Sequence, residues 1–107
     1  MLNLTPHTIA VRGADGTDVI FPPSGRVARV AMVETVIGAC PVTGAPIITR
    51  AAGNTIGLPD DDSQCLVSAM VLAACAGRAG VFAPDTGPTA IRDERGQIVA
   101  VTRLVAA

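Results

Sequence analysis

A core with no Trp or Tyr, and with Phe21 and Phe82 as its only aromatics, has to be built by bringing many small aliphatic side chains close together. Half of the 107 residues are hydrophobic, mostly Ala, Val, Ile and Leu, and only 16% are charged. That balance is too apolar for a disordered chain. The length fits one domain over residues 1–107, with no room for a second core. The abundance of β-branched residues favours strands.

His7, Ile9 and Val11 alternate with Thr8, Ala10 and Arg12, which predicts a strand over Thr5 to Arg12. A turn at Ala14-Asp15-Gly16 and a return strand over Asp18 to Phe21 complete a hairpin. Pro22-Pro23-Ser24-Gly25 breaks it, and the β-branched run Arg26 to Ile37 reads as the next strand. Pro41 to Pro46 is a turn before strand-like Ile47 to Ala51, and Gly53 to Gly57 adds a short extended piece.

After the polar Pro59-Asp60-Asp61-Asp62, Ser63 to Ala76 fits either one helix or a strand over Gln64 to Val67 followed by a helix. Ser68 is a good N-cap for the Ala-rich run Ala69 to Ala76, and Gly77 a good stop, which favours strand plus helix. That helix is apolar all round, so it is expected to be buried by the sheet or by a partner chain. Val81 to Ala83 is a short strand. A second hairpin then joins Thr89 to Arg92 with Gln97 to Val105, a last strand apolar on both faces and expected to be central or covered. The fold class expected is α+β: a mainly antiparallel or mixed sheet of about six to eight short strands, with two hairpins, packed on one apolar helix.

Several roles are disfavoured. The net charge is −1 and the eight basic residues are dispersed along the chain, leaving no basic footprint or aromatic platforms for bulk nucleic acid. No apolar stretch reaches the length of a membrane span, and Met1 to His7 does not read as a secretory signal, so a cytosolic location is expected. Cys40, Cys65 and Cys75 share no zinc-type spacing, so they read as reduced structural thiols, and neither metal nor cofactor is expected.

The candidate site residues are few. Asp85-Thr86-Gly87 matches the local triplet of retroviral-type aspartic proteases, but its position between Pro84 and Pro88, without an apolar strand directly before it, reads better as a turn. Ser68 could contact a phosphate at the helix start, or serve only as the cap; it lacks the flanking glycines of a nucleophile elbow. His7, the only histidine, is the one general base of ordinary pKa other than a carboxylate, or else a structural residue at the rim of the core. Arg78, just past the helix, and Arg26 and Arg29, after a Gly turn, could fork onto an anion or be solvated. A triad of Ser68, His7 and Asp85 can be written down, but no spacing supports it, and no catalytic residue is assigned.

All eight basic residues are Arg, which reads as the coding bias of a GC-rich genome such as that of an actinomycete or its phage. The opening Asn3-Leu4-Thr5-Pro6-His7 resembles that of a group of small uncharacterised phage and prophage proteins, many actinobacterial. Pro23 to Arg29, Leu66-Val67-Ser68-Ala69 and Ile91 to Val99 fit the same group. The resemblance implies an accessory role: inhibition of host defence, regulation or assembly. Some unrelated phage proteins of this size are oligomeric sponges that hold nucleotide immune signals between subunits. The leading expectation is therefore a homo-oligomer in the host cytosol that sequesters an anionic, nucleotide-like small molecule at His7, Arg26, Ser68, Arg78 and Asp85-Thr86-Gly87. The alternatives are an interaction or virion-assembly module with no small ligand, and a small nucleotide hydrolase.

Overall fold

The computed structural model describes all 107 residues, as ten strands and one short helix. In chain order these are β1 (Leu2–Asn3), β2 (Ile9–Arg12), β3 (Asp18–Phe21), β4 (Arg29–Ala39), β5 (Pro46–Ile56), β6 (Cys65–Leu66), α1 (Ala69–Ala74), β7 (Val81–Pro84), β8 (Ile91–Arg92), β9 (Ile98–Ala100) and β10 (Leu104–Ala106). The centre is a mixed sheet in the order β1-β6-β7-β10, parallel between its first three strands and antiparallel at the last. Three two-stranded hairpins, β2–β3, β4–β5 and β8–β9, surround it.

Parallel neighbours cannot be joined by a tight turn, and α1 supplies the crossover from β6 to β7. Ser68 holds extended backbone angles and its Oγ accepts the Val71 N–H at 3.3 Å, capping the helix as its residue type predicts. Gly77, at φ +79°, supplies the left-handed turn just beyond the C-cap Cys75. The helix lies against β7 and the bases of β4 and β5. Its buried face joins Val71 and Cys75 to Leu4, Ala28, Cys65, Val67 and Val81. This core contains no aromatic residue.

The chain's opening is fixed by a polar knot. Asn3 is 2% exposed, and its amide donates to the His7 and Phe21 carbonyls at 2.7 and 2.8 Å. Its Oδ1 accepts the Thr5 N–H at 3.0 Å and the Thr5 hydroxyl at 2.7 Å. One side chain thus ties β1 to the bend at Thr5-Pro6-His7 and to the end of β3. Buried side-chain nitrogens and oxygens are all partnered, as a low-dielectric interior requires.

The β4–β5 hairpin has a different character. It pairs two eleven-residue strands, with irregularities between Val30 and Met32 and between Val36 and Gly38. The turn is closed by Cys40 N–H to Ala45 O at 2.7 Å and Gly44 N–H to Cys40 O at 2.8 Å. Gly53 sits where a Cβ would lie 2.7 Å from the Ala31 carbonyl oxygen, so the two strands meet there without room for a side chain. Only the base of the hairpin packs on the core, through Val30. Beyond it, Val33, Val36 and Ile37 are 57, 66 and 64% exposed. The hairpin is an arm.

The molecule's extents are 57 × 39 × 24 Å. The radius of gyration is 17.3 Å, whereas a compact chain of this length has about 13 Å.

Several expectations are corrected. The mainly β, mixed and antiparallel class with one helix agrees with expectation. The strands number ten because two-residue β1 is added and the last strand is split, and a third hairpin arises because Arg26 to Ile37 and Ile47 to Ala51 belong to one long pair reaching from Arg29 to Ile56. The first long strand begins at Ile9, since Asn3 and Thr5 hold the preceding residues in a bend. The expected last strand is two: β9 pairs with β8, and β10 is an edge of the central sheet. The break falls at Thr102 and Arg103, whose side chains bond the Thr89 carbonyl and the Asp85 carboxylate. The helix has six residues and is covered on one side only, with Met70 65% exposed.

Asn3→Ala is expected to destabilise the fold by about 2 kcal/mol, because it removes the acceptor of the buried Thr5 N–H and the amide that bonds the part-buried His7 and Phe21 carbonyls. Asn3→Asp is expected to be at least as costly near neutral pH and partly relieved in acid, because its carboxylate would face the same carbonyls. Thermal unfolding followed by circular dichroism measures both; a change under about 1 kcal/mol for Asn3→Ala would mean that water replaces the knot.

Candidate functional site

The groove where the opening bend meets the strand-to-helix junction draws on three distant segments. His7, with Thr5 and Pro6, comes from the bend; Val67, Ser68 and Ala69 come from the β6–α1 junction; Pro84 and Thr86 come from the end of β7. Ile9 completes a cleft of about 390 Å³. A second hollow of about 270 Å³ shares His7, Ile9, Pro84 and Thr86 and runs on to Ile98, Val99 and Val101. The two form one trough on either side of His7 and Thr86.

The chemistry offered is mild. His7 is exposed and its imidazole forms no hydrogen bond or ion pair within the chain. Ser68 and Thr86 add hydroxyls, Ser68 being committed as acceptor to Val71. No hydrogen bond links Ser68 to His7, and neither hollow is lined by a carboxylate or an Arg. The arrangement can hold a small, partly apolar group and offer it hydrogen bonds. It lacks the aligned nucleophile and base of covalent catalysis.

The remaining candidates lie elsewhere. Arg78 sits in a separate hollow of about 560 Å³ lined by Asp60, Asp61 and Asp62, and donates to the Pro59 carbonyl. One guanidinium among three carboxylates leaves that hollow negative, a poor place for an anion. Arg26 lies in the exposed β3–β4 connection and lines none of the hollows. Asp85 adjoins Thr86 but turns away, pairing with Arg103 and accepting the Gly87 N–H at 3.0 Å. That N–H bond makes Asp85-Thr86-Gly87 a closed side-chain turn, further held by Arg92 donating to the Thr86 carbonyl at 3.2 Å.

Sequence reasoning passed over Asn3 and Thr5, which orient the bend carrying His7. An Asn two residues before a Thr, inside an otherwise apolar opening, was the available signal. It also missed the Asp85–Arg103 pair, which only the three-dimensional path of the chain brings together.

No three His, Cys, Asp or Glu side chains cluster as metal ligands would. Cys65 and Cys75 are buried free thiols, and desolvation pushes the Cys65 thiol above its ordinary range. No helix is long and apolar enough to cross a membrane.

The fold and trough together define a small mixed-β protein with a one-helix crossover, a surface trough lined by no Arg or carboxylate, and a projecting apolar arm. Compared with protein families, curated proteins and solved structures, the chain matches none.

The Arg103 guanidinium, and after it the Gly87 N–H, hold the Asp85 carboxyl below its ordinary value. Because the folded pKa is depressed, the contribution is complete above the unfolded value near 3.9 and is lost as pH falls through the folded value. Asp85→Asn is therefore expected to lower the thermal midpoint at neutral pH and to reduce its fall on acidification below about pH 4. Identical acid limbs for the two proteins would show that the pair adds nothing.

Proposed function

We propose that this chain is an interaction and assembly module of the small phage accessory type, with the β4–β5 arm as its working surface. The observation that carries the reading is that arm, whose two eleven-residue strands expose apolar side chains on both faces. A two-stranded ribbon is marginal in water without a covering layer. Contiguous exposed apolar surface on this scale is typical of contact sites. The likeness of the Asn3 to His7 opening to phage and prophage proteins supplies the biological setting.

A second reading, sequestration of a nucleotide-like small molecule without chemistry, is favoured by the convergence of His7, Ser68 and Thr86 on one trough. Its cost is the missing cation: an anion held there needs an Arg from outside the trough. Under either reading the chain works by binding rather than by catalysis.

The variants Val36→Arg and Ile48→Arg separate the two. Under the assembly reading they abolish the protein's effect on plaque formation by a phage carrying its gene, while His7→Ala leaves that effect intact. The reverse pattern, together with a nucleotide retained unaltered in native mass spectrometry, would favour sequestration and overturn the assembly reading.

A further inference from the structure

Exposed area, backbone pairing and charge placement all bear on what covers the arm. Building on the assembly reading, we infer that its occupant is a second copy of this chain, packed arm to arm about a two-fold axis.

Area comes first. The chain exposes 6999 Å², whereas a compact monomer of its mass exposes about 5,500 Å². The excess of roughly 1,500 Å² exceeds the ~800 Å² that each partner contributes to a standard stable interface. Half of the sixteen exposed large hydrophobics, from Met32 to Ile56, lie on the arm, its turn and its base.

The chain as a whole is sparsely paired. The chain makes 43 backbone–backbone hydrogen bonds, whereas a compact domain of this length makes roughly 70 to 80. The outer edges of β4 and β5 belong to a sheet of two strands only. They carry no Lys, and no Pro beyond the first residue of β5.

Charge placement selects the partner. Glu34 and Arg50 stand opposite each other across the strands, with Nε to Oε1 at 2.9 Å, and are the only charged residues between Val30 and Ile56. The register places them on one face with Met32, Val36, Ile48 and Ala52, leaving Val33, Thr35, Thr49 and Ala51 on the other. A two-fold axis running along the strands between two such faces sets each Glu34 against Arg50 of the second copy, each Val36 against its Ile48 and each Met32 against its Ala52. Such an isologous contact is self-complementary. A strongly charged partner would find no matching field on a face whose charges already cancel.

Analytical ultracentrifugation of the full-length protein tests this. The wild type is expected to sediment at twice or a higher multiple of 10.8 kDa and to dissociate on dilution, with a thermal midpoint that rises with protein concentration. Val36→Arg with Ile48→Arg should give a monomer whose midpoint no longer depends on concentration. Should that variant fail to fold, Glu34→Arg alone sets like charges together at the axis and should weaken association at least tenfold, while Glu34→Arg with Arg50→Glu restores it. A wild type that stays monomeric at millimolar concentration overturns the inference, as does an oligomer unchanged by these variants. A monomeric wild type whose arm variants still lose their effect on plaques would leave the assembly reading standing, with a different protein as partner.

Discussion

The side chain of Asn3 is the constraint on which the rest of the body depends. Buried at the start of the central sheet, it satisfies two carbonyls and two donors from segments that otherwise share no secondary structure. The Ser24 N–H bonds the Asn3 carbonyl, and Leu4 follows with a carbonyl that accepts the Ala28 N–H, so the same segment also anchors the chain as it enters β4. Without it, the bend carrying His7, the end of β3 and the root of the arm would have no common reference. A core of small aliphatics supplies cohesion but little directional information. The knot supplies the direction.

The body and the arm obey different rules. In the body, Leu4, Cys65, Val67, Val71 and Val81 are nearly inaccessible, and a mixed sheet crossed by a capped helix encloses them. In the arm, Val36, Ile37 and Ile48 have equally apolar side chains and no cover. The two regions are alike in composition and differ only in whether the chain folds back over them. For an isolated monomer this is an expensive arrangement, and a second layer of strands relieves it. The trough beside His7 is modest by comparison, and no Arg or carboxylate lines it.

What could be read from the sequence follows the reach of the signals. Ser68, with its apolar run and Gly77, marked the strand-to-helix junction, because caps and stops are local. The β2–β3 hairpin announced itself through alternation and its Asp-Gly turn. The length of the arm was hidden, because Gly53 looked like an interruption when it is a point of close strand contact. The break at Thr102 and Arg103 was equally hidden, resting on bonds to Thr89 and Asp85 far back in the chain. At the site, the meeting of His7, Ser68 and Thr86 could be guessed from residue type. The turning away of Asp85 and Arg78 could not, because each is held by a partner supplied by the tertiary fold.

Hydrogen–deuterium exchange on the full-length protein, compared across concentrations, tests most directly whether the arm is an interface. If it is, the amides of β4 and β5 exchange more slowly as concentration rises, because stacking of two arms suppresses opening of each hairpin, while those of β6 and β7 do not change. Arm amides that exchange at one rate at every concentration would contradict the account, for they would belong to a hairpin that water alone covers.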